Sequence, residues 1–254
     1  ADLFYPPLLD TPNNKPGRKI GRIRYGNAFE GLIADCAGNM TLGDKEAVLI
    51  SNQDEEWLLS KIENSKAKHL AFIPSHPLGY TAGKWREWYP DVVAEEGASG
   101  IVINELLSGR KGNLTIDADK YLWQGGWFLQ HQRILQAISE RTDSRFIFSG
   151  DIHAMGASSI IQSDEINLKK IVKTFLVGPV SSSTGTWPSF ARGITAETPK
   201  QLICKSIYAT REVNGFTLFS IEGKQAFAEL CSCGGHNPDD LESGQIISSE
   251  KIYI

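Results

Sequence analysis

Apolar and polar positions along the chain fall into distinct stretches. Short, continuous apolar runs of the kind that buried strands show occur at FEGLIAD (29–35), HLAFIP (69–74) and FIFS (146–149). Between them the spacing is helical. Trp57, Leu58 and Ile62 form an apolar stripe behind Ser51, which suits an N-cap, with acidic residues at the positive end. Phe128, Ile134, Leu135 and Ile138 predict a second helix from about Gly126 to Arg141. A further helix is expected from Ala154 to Gln162. From Ile171 onward, KTFLVGP, LICKSIYA, GFTLFSI, AFAELCSC and IISSEKIYI read as strands spaced for an antiparallel meander. At the other end, Ile20–Tyr25 and Phe29–Asp35 read as a hairpin across Gly26-Asn27.

After that hairpin the order is helix, strand, loop, helix, strand, helix, then strands. This predicts an α/β sandwich whose loops at strand ends carry a site. Residues 1–18 are rich in Pro and Asn and read as an extended lead-in or connecting segment before a domain over 19–254. Residues 78–112 are loop-rich. There YTAGKWREWYP is dense in aromatic rings and charge, as a lid or a self-packed surface excursion would be.

Composition narrows the function classes. With 254 residues, 41% of them hydrophobic and 22% charged, the chain is long enough to bury a substantial core. A formal net charge of −4 and only small basic clusters (Lys66-Ala67-Lys68, Arg110-Lys111, Lys169-Lys170) argue against broad nucleic-acid binding. No apolar run reaches the ~18 residues of a membrane helix. The four cysteines are too few for a disulfide scaffold, and Cys231 and Cys233 read as small buried strand residues. No P-loop, dinucleotide fingerprint or Gly-x-Ser-x-Gly elbow occurs.

Two short motifs carry candidate chemistry. Ser75-His76-Pro77 follows the strand HLAFIP, and Gly150-Asp151-Ile152-His153 follows FIFS. In α/β sheets neighbouring strand ends converge on one crevice, so His76, Asp151 and His153 are candidates to meet there. Imidazole and carboxylate are common ligands for zinc, iron and manganese. If the backbone stays extended, Asp151 and His153 point to the same side. The plainer reading makes Asp151 the cap of the expected 154–162 helix.

These motifs, with PGRKIGRIRYGNAFEGLIAD, DEEWLLSKIENSKAKHLAFIPSHPL and WQGGWFLQHQRILQAISERTDSRFIFSGDIH, resemble the calcineurin-like metallophosphoesterases, and among them the PhoD-like phosphatases. The resemblance covers about residues 16–195. It implies a layered α-β-β-α sandwich ending in mainly antiparallel strands. It also implies metal-dependent hydrolysis of phosphate mono- or diesters at two divalent or trivalent metal ions (Fe, Zn, Mn or Ca). Asp151 and His153 would ligate one metal each and His76 the second, with catalysis at the same three residues. Lys84, Arg86 and Arg192 are candidates for holding the substrate phosphate. The family's habits also imply a secreted or periplasmic location.

The chain departs from the family pattern in several places. The earlier family motifs, an Asp-bearing first strand and an Asn–His element, have no counterpart here. Asp35 is followed by Cys36-Ala37-Gly38, without the Arg found in many relatives. Tyr121-Leu122-Trp123-Gln124-Gly125 lacks the two acids of the corresponding family motif. The expectation is therefore the C-terminal portion of such an enzyme, its site completed by an N-terminal half or companion chain. The alternative is a non-catalytic, degenerate module of the same fold.

Overall fold

The computed structural model describes residues 20–36, 38, 40, 41, 44–82, 123, 125–180, 195–223, 225–234, 246 and 248–253, with the backbone alone at 92–93, 102–103 and 112–114. The expected hairpin forms as β1 (Ile20–Tyr25) and β2 (Phe29–Ala34), turning at Gly26 with φ 53°. Helix α1 (Asn52–Asn64) starts where the sequence places it, with Ser51 Oγ accepting the Asp54 N–H at 3.2 Å. Then follow β3 (His69–Pro74), β4 (Val92–Val93), β5 (Val102–Ile103), β6 (Gly112–Leu114) and helix α2 (Gly125–Glu140). The rest is strand: β7 (Ser144–Ser149), β8 (Met155–Ser163), β9 (Ile166–Val177), β10 (Leu202–Arg211), β11 (Asn214–Glu222), β12 (Gln225–Gly234) and β13 (Ser248–Tyr253).

Seven strands form one mixed sheet in the order β1-β2-β3-β7-β9-β8-β10. Within it β2, β3, β7 and β9 run parallel, so their C-terminal ends lie along one edge of the sheet. Strands β11-β12-β13 form a separate antiparallel meander, while β4-β6-β5 make a small third sheet. The expected C-terminal meander is therefore shorter than the sequence suggests, because β10 joins the main sheet beside β8.

Alternation along the central strands decides what covers each face. Leu70, Phe72, Ile147 and Val172 pack with Leu58 and Ile62 of α1 and Ile134, Leu135 and Ile138 of α2. Their neighbours Ala71, Phe146, Phe148 and Phe175 face the other way and pack with Ala228, Leu230 and Ile252 of the second sheet. Helices, large sheet and small sheet thus follow one another. No helix covers the outer face of the small sheet among the described residues.

The helix expected at 154–162 is a strand. MGASSIIQS is buried at six successive positions from Met155 to Ile160, because β8 lies between β9 and β10 with both faces covered. A strand buried on both faces loses its period-2 signature, and a short apolar run then reads equally well as a helix.

One polar side chain ties α2 to the chain entering α1. Gln130 is buried, and its Oε1 accepts the N–H groups of Leu49 (2.6 Å) and Ile50 (3.3 Å). Its amide donates to Ile50 O (2.9 Å) and to Glu55 Oε2 (2.8 Å). Glu55 also accepts both arms of Arg133, at 2.6 and 3.0 Å. Gln130→Leu keeps the volume but strips two buried N–H groups of their acceptor. Chemical denaturation should show a loss of about 2–4 kcal/mol. A loss below 0.5 kcal/mol would mean that water reaches these groups.

Candidate functional site

Three neighbouring parallel strands deliver the candidate residues. Asp35 follows the end of β2, Ser75 and His76 follow β3, and Gly150 to His153 follow β7. The first two ends are stitched together. Ser75 N–H donates to Ala34 O at 2.8 Å, its hydroxyl accepts the Cys36 N–H at 2.8 Å, and the same hydroxyl donates to Asp35 Oδ1 at 3.3 Å. Burial raises the Cys36 thiol to about 11, so it stays protonated and unreactive near neutral pH.

Gly150-Asp151-Ile152-His153 is a tight turn, not an extended segment. Asp151 has φ 74° and His153 φ 48°, and the Ile152 N–H donates to Gly150 O at 3.0 Å. A two-residue bond around a positive φ marks a strained γ-turn. The side chain between them explains how the turn is held. Ile152 is 1% exposed and sinks among Tyr80, Ala82, Leu176 and Ala196. With Ile152 pinned inward, Asp151 stays partly buried and His153 is exposed. The expectation that these two side chains share a side through an extended backbone is thus replaced by a turn. Asp151 caps no helix, since β8 follows. Non-glycine residues in this region cost ~1–3 kcal/mol each and gather at functional sites.

His76 sits differently. It is 1% exposed, and its ring packs against Trp127 (5.4 Å between centroids), Trp123 (6.1 Å) and His131 (5.0 Å). Two of those rings belong to α2, so the imidazole stands within the helix-covered layer. Among the described residues, no three His, Cys, Asp or Glu side chains gather in a way that would hold a metal ion. His76, Asp151 and His153 therefore do not make a ligand set by themselves. The donor types suit a transition metal, but their placement does not fit a two-metal centre without further residues. Lys84, Arg86, Arg192 and Trp85 lie outside the described residues. Tyr80 belongs to the core: it is 1% exposed and donates to Ser158 Oγ at 2.8 Å.

Three features of the site were not foreseen: the Ile152 pin, the aromatic surround of His76, and an apolar cleft at the same sheet edge. Each depends on partners distant in sequence. Only the Trp127 and His131 spacing on α2 offered a hint, since residues four apart share a helix face.

The buried His131 gives a pH dependence. Burial pushes its imidazole down to about 3, so it is neutral in the folded chain. The unfolded chain takes up that proton near pH 6.5. Stability is therefore complete above about pH 6.5 and falls as pH drops toward 3, by several kcal/mol if the imidazole stays buried. Urea titrations from pH 7.5 to 4.5 should show this slope, and His131→Phe should flatten it. An unchanged slope in that variant would place the acid sensitivity elsewhere.

The chain resembles, in fold, a solved structure described as "Structure of PhoD", with a TM-score of 0.49 and 12% identity over 92% of this chain and 40% of that one. It thus spans about two fifths of the length of that protein. No family model and no curated protein matches the sequence. No helix among the described residues is long and apolar enough to cross a membrane.

Proposed function

We propose that this chain supplies one part of the active site of a phosphate-ester hydrolase of the metallophosphoesterase kind. In this reading a preceding segment or companion chain contributes the remaining metal ligands. The observation that carries the reading is the Gly150–His153 turn. Two left-handed, non-glycine residues that suit metal or phosphate chemistry flank a buried pin at the C-terminal end of a central parallel strand. That is where open α/β sheets place their ligands. Asp151 and His153 are the residues of this chain assigned to the site. Lys84, Arg86 and Arg192 remain candidates for the phosphate. His76 is assigned to support the layer beneath.

A specific observation favours a second reading. The described residues bring no three metal-binding side chains together. A non-catalytic module of the same fold would keep the turn without the chemistry.

The two readings separate in one experiment. This chain is purified by itself, and the native protein is isolated from its source with any chain that accompanies it; metal content and turnover of 4-nitrophenyl phosphate and bis(4-nitrophenyl) phosphate are measured for both. The hydrolase reading expects about two metals and turnover in the native protein, and neither at full level in this chain by itself. A native protein that is folded, metal-free and inactive after incubation with zinc, iron, manganese or calcium would establish the module.

A further inference from the structure

A cleft of about 340 Å³ opens at the same sheet edge, beside the Gly150–His153 turn. Its walls come from the ends of β3, β7 and β9 and from β11 of the second sheet: Ile73, Phe148, Gly150, Val177, Phe216 and Phe219 are among them. We propose that this cleft binds the apolar, preferably aromatic, alcohol portion of the phosphate ester, an assignment that rests on the hydrolase reading above.

Position is the first argument. Gly150 lines the cleft and is bonded directly to Asp151, so a molecule in the cleft abuts the residue assigned to the phosphate end. Chemistry is the second. Among the described residues, none that lines the cleft is charged. The two hydroxyls in the lining also face inward to partners. Ser149 Oγ donates to Phe175 O, and Thr217 Oγ1 to Val177 O, each at 3.4 Å. What the described residues turn toward the opening is mainly hydrocarbon and ring. The wall is built rather than accidental: Phe219 packs against Phe146 at 4.8 Å, Phe29 at 5.4 Å and Phe148 at 5.6 Å. Phe148 in turn meets Phe175 at 5.2 Å.

Size and room are the third argument. The volume lies at the small end of the range for ligand pockets, enough for one or two fused rings. A methyl group added at Gly150 would meet nothing within 4 Å, so the space above it is open. A polyanion such as a nucleoside triphosphate finds no counter-charge among the described lining residues, whereas an aryl or branched alkyl group exchanges water for apolar contact. Hydrolysis moves the phosphoryl group to water. The phosphorus–oxygen bond to the alcohol breaks, a new one to the water oxygen forms, and the freed alcohol takes one of water's protons. The cleft holds that alcohol before and after the step.

The test has two arms. In the first, this chain is titrated with 2-naphthol and, separately, with inorganic phosphate, while methyl NMR signals of Ile73, Val177 and Val180 are followed. Saturable shifts are expected with naphthol and none with phosphate. Val180 is 70% exposed at the rim, so Val180→Glu should fold with an unchanged melting temperature and weaken naphthol binding at least about five-fold. Gly150→Val, filling the open space, should do the same. In the second arm, kcat/KM of the native protein is compared for 2-naphthylmethyl phosphate and methyl phosphate, two alkyl esters whose alcohols leave about equally readily. A preference of at least about ten-fold for the naphthylmethyl ester is expected, reduced by Val180→Glu. Turnover without that preference, together with no naphthol shifts, overturns the subsite and leaves the hydrolase reading standing. Naphthol binding at these methyls with no turnover of any ester overturns the leaving-group role through failure of the hydrolase reading itself.

Discussion

Asp151→Gly is expected to make the protein more stable and inactive. The residue holds φ 74°, where glycine has no side-chain penalty and aspartate does. Relief of that strain, less the extra entropy glycine brings to the unfolded chain, leaves about 0.5–1 kcal/mol of stabilisation. The same change removes the carboxylate assigned to the site. On the hydrolase reading, kcat/KM of the native protein should fall by at least on the order of 10²-fold, the typical cost of losing one group that stabilises transition-state charge. Asp151→Asn separates the two effects. Asparagine tolerates a left-handed backbone, so stability should barely move while activity falls as far. Asp151→Ala should be less stable than the glycine variant by about 1 kcal/mol. Urea unfolding and initial-rate kinetics on the three variants check all of this. A glycine variant that keeps full activity would remove Asp151 from the site. One that loses stability would show that the carboxylate, not the turn, holds this segment.

Gly126→Ala is expected to cost about as much stability as Gln130→Leu, through a clash rather than a lost acceptor. A β-carbon at Gly126 would lie 2.0 Å from the carbonyl oxygen of Ala47 and 2.9 Å from its C and N atoms. These are backbone atoms in a buried stretch, so no side chain can swing aside. Alanine would ordinarily improve a helix by ~1 kcal/mol over glycine. Here the helix must move instead. Shifting the first turn of α2 also pulls Gln130 from Leu49 and Ile50, so the clash spreads into the hydrogen-bonded clamp. A net loss of about 3 kcal/mol is expected, at the upper end for overpacking. Gly38→Ala is the control, since a β-carbon there meets nothing within 4 Å. Equal urea midpoints for the two variants would mean that α2 does not press on residues 47–50 as closely as the structure has it.

The elements that were legible in the sequence were those whose causes are local. Ser51 caps α1 because the cap and its first turn are adjacent in the chain. HLAFIP and FIFS announced themselves because they are short, apolar and bounded by Pro74 and Gly150. The strand-end position of Asp35, His76 and Asp151 followed from those limits. What could not be read depends on distant partners. MGASSIIQS is a strand only because β9 and β10 flank it. His76 is enclosed by Trp123, Trp127 and His131, which reach it through the docking of α2, so a histidine that looks ready for a metal sits in a ring of aromatics. The γ-turn at Asp151 depends on Ile152 finding its pocket among Tyr80, Leu176 and Ala196. A spacing of two between Asp and His describes composition, whereas the strain that sets their directions is a property of the packed sheet.

The parallel arrangement of β2, β3 and β7 also governs when the site comes into being. Leu70 pairs with Glu30 on one side and Arg145 on the other, so the central ladder joins three segments far apart in the chain. Closing such loops precedes any reward from the contacts they make, and chains rich in distant pairings fold slowly. The β1–β2 and β8–β9 hairpins can form early from neighbouring residues. The turn at Asp151 cannot take its final shape until β7 has docked between β3 and β9 and Ile152 has a pocket to enter. Refolding followed by hydrogen exchange should therefore show the two hairpins protected first, with the Ile152 amide among the last to gain protection. The candidate site is then a late product of folding, present only in chains that have completed the sheet.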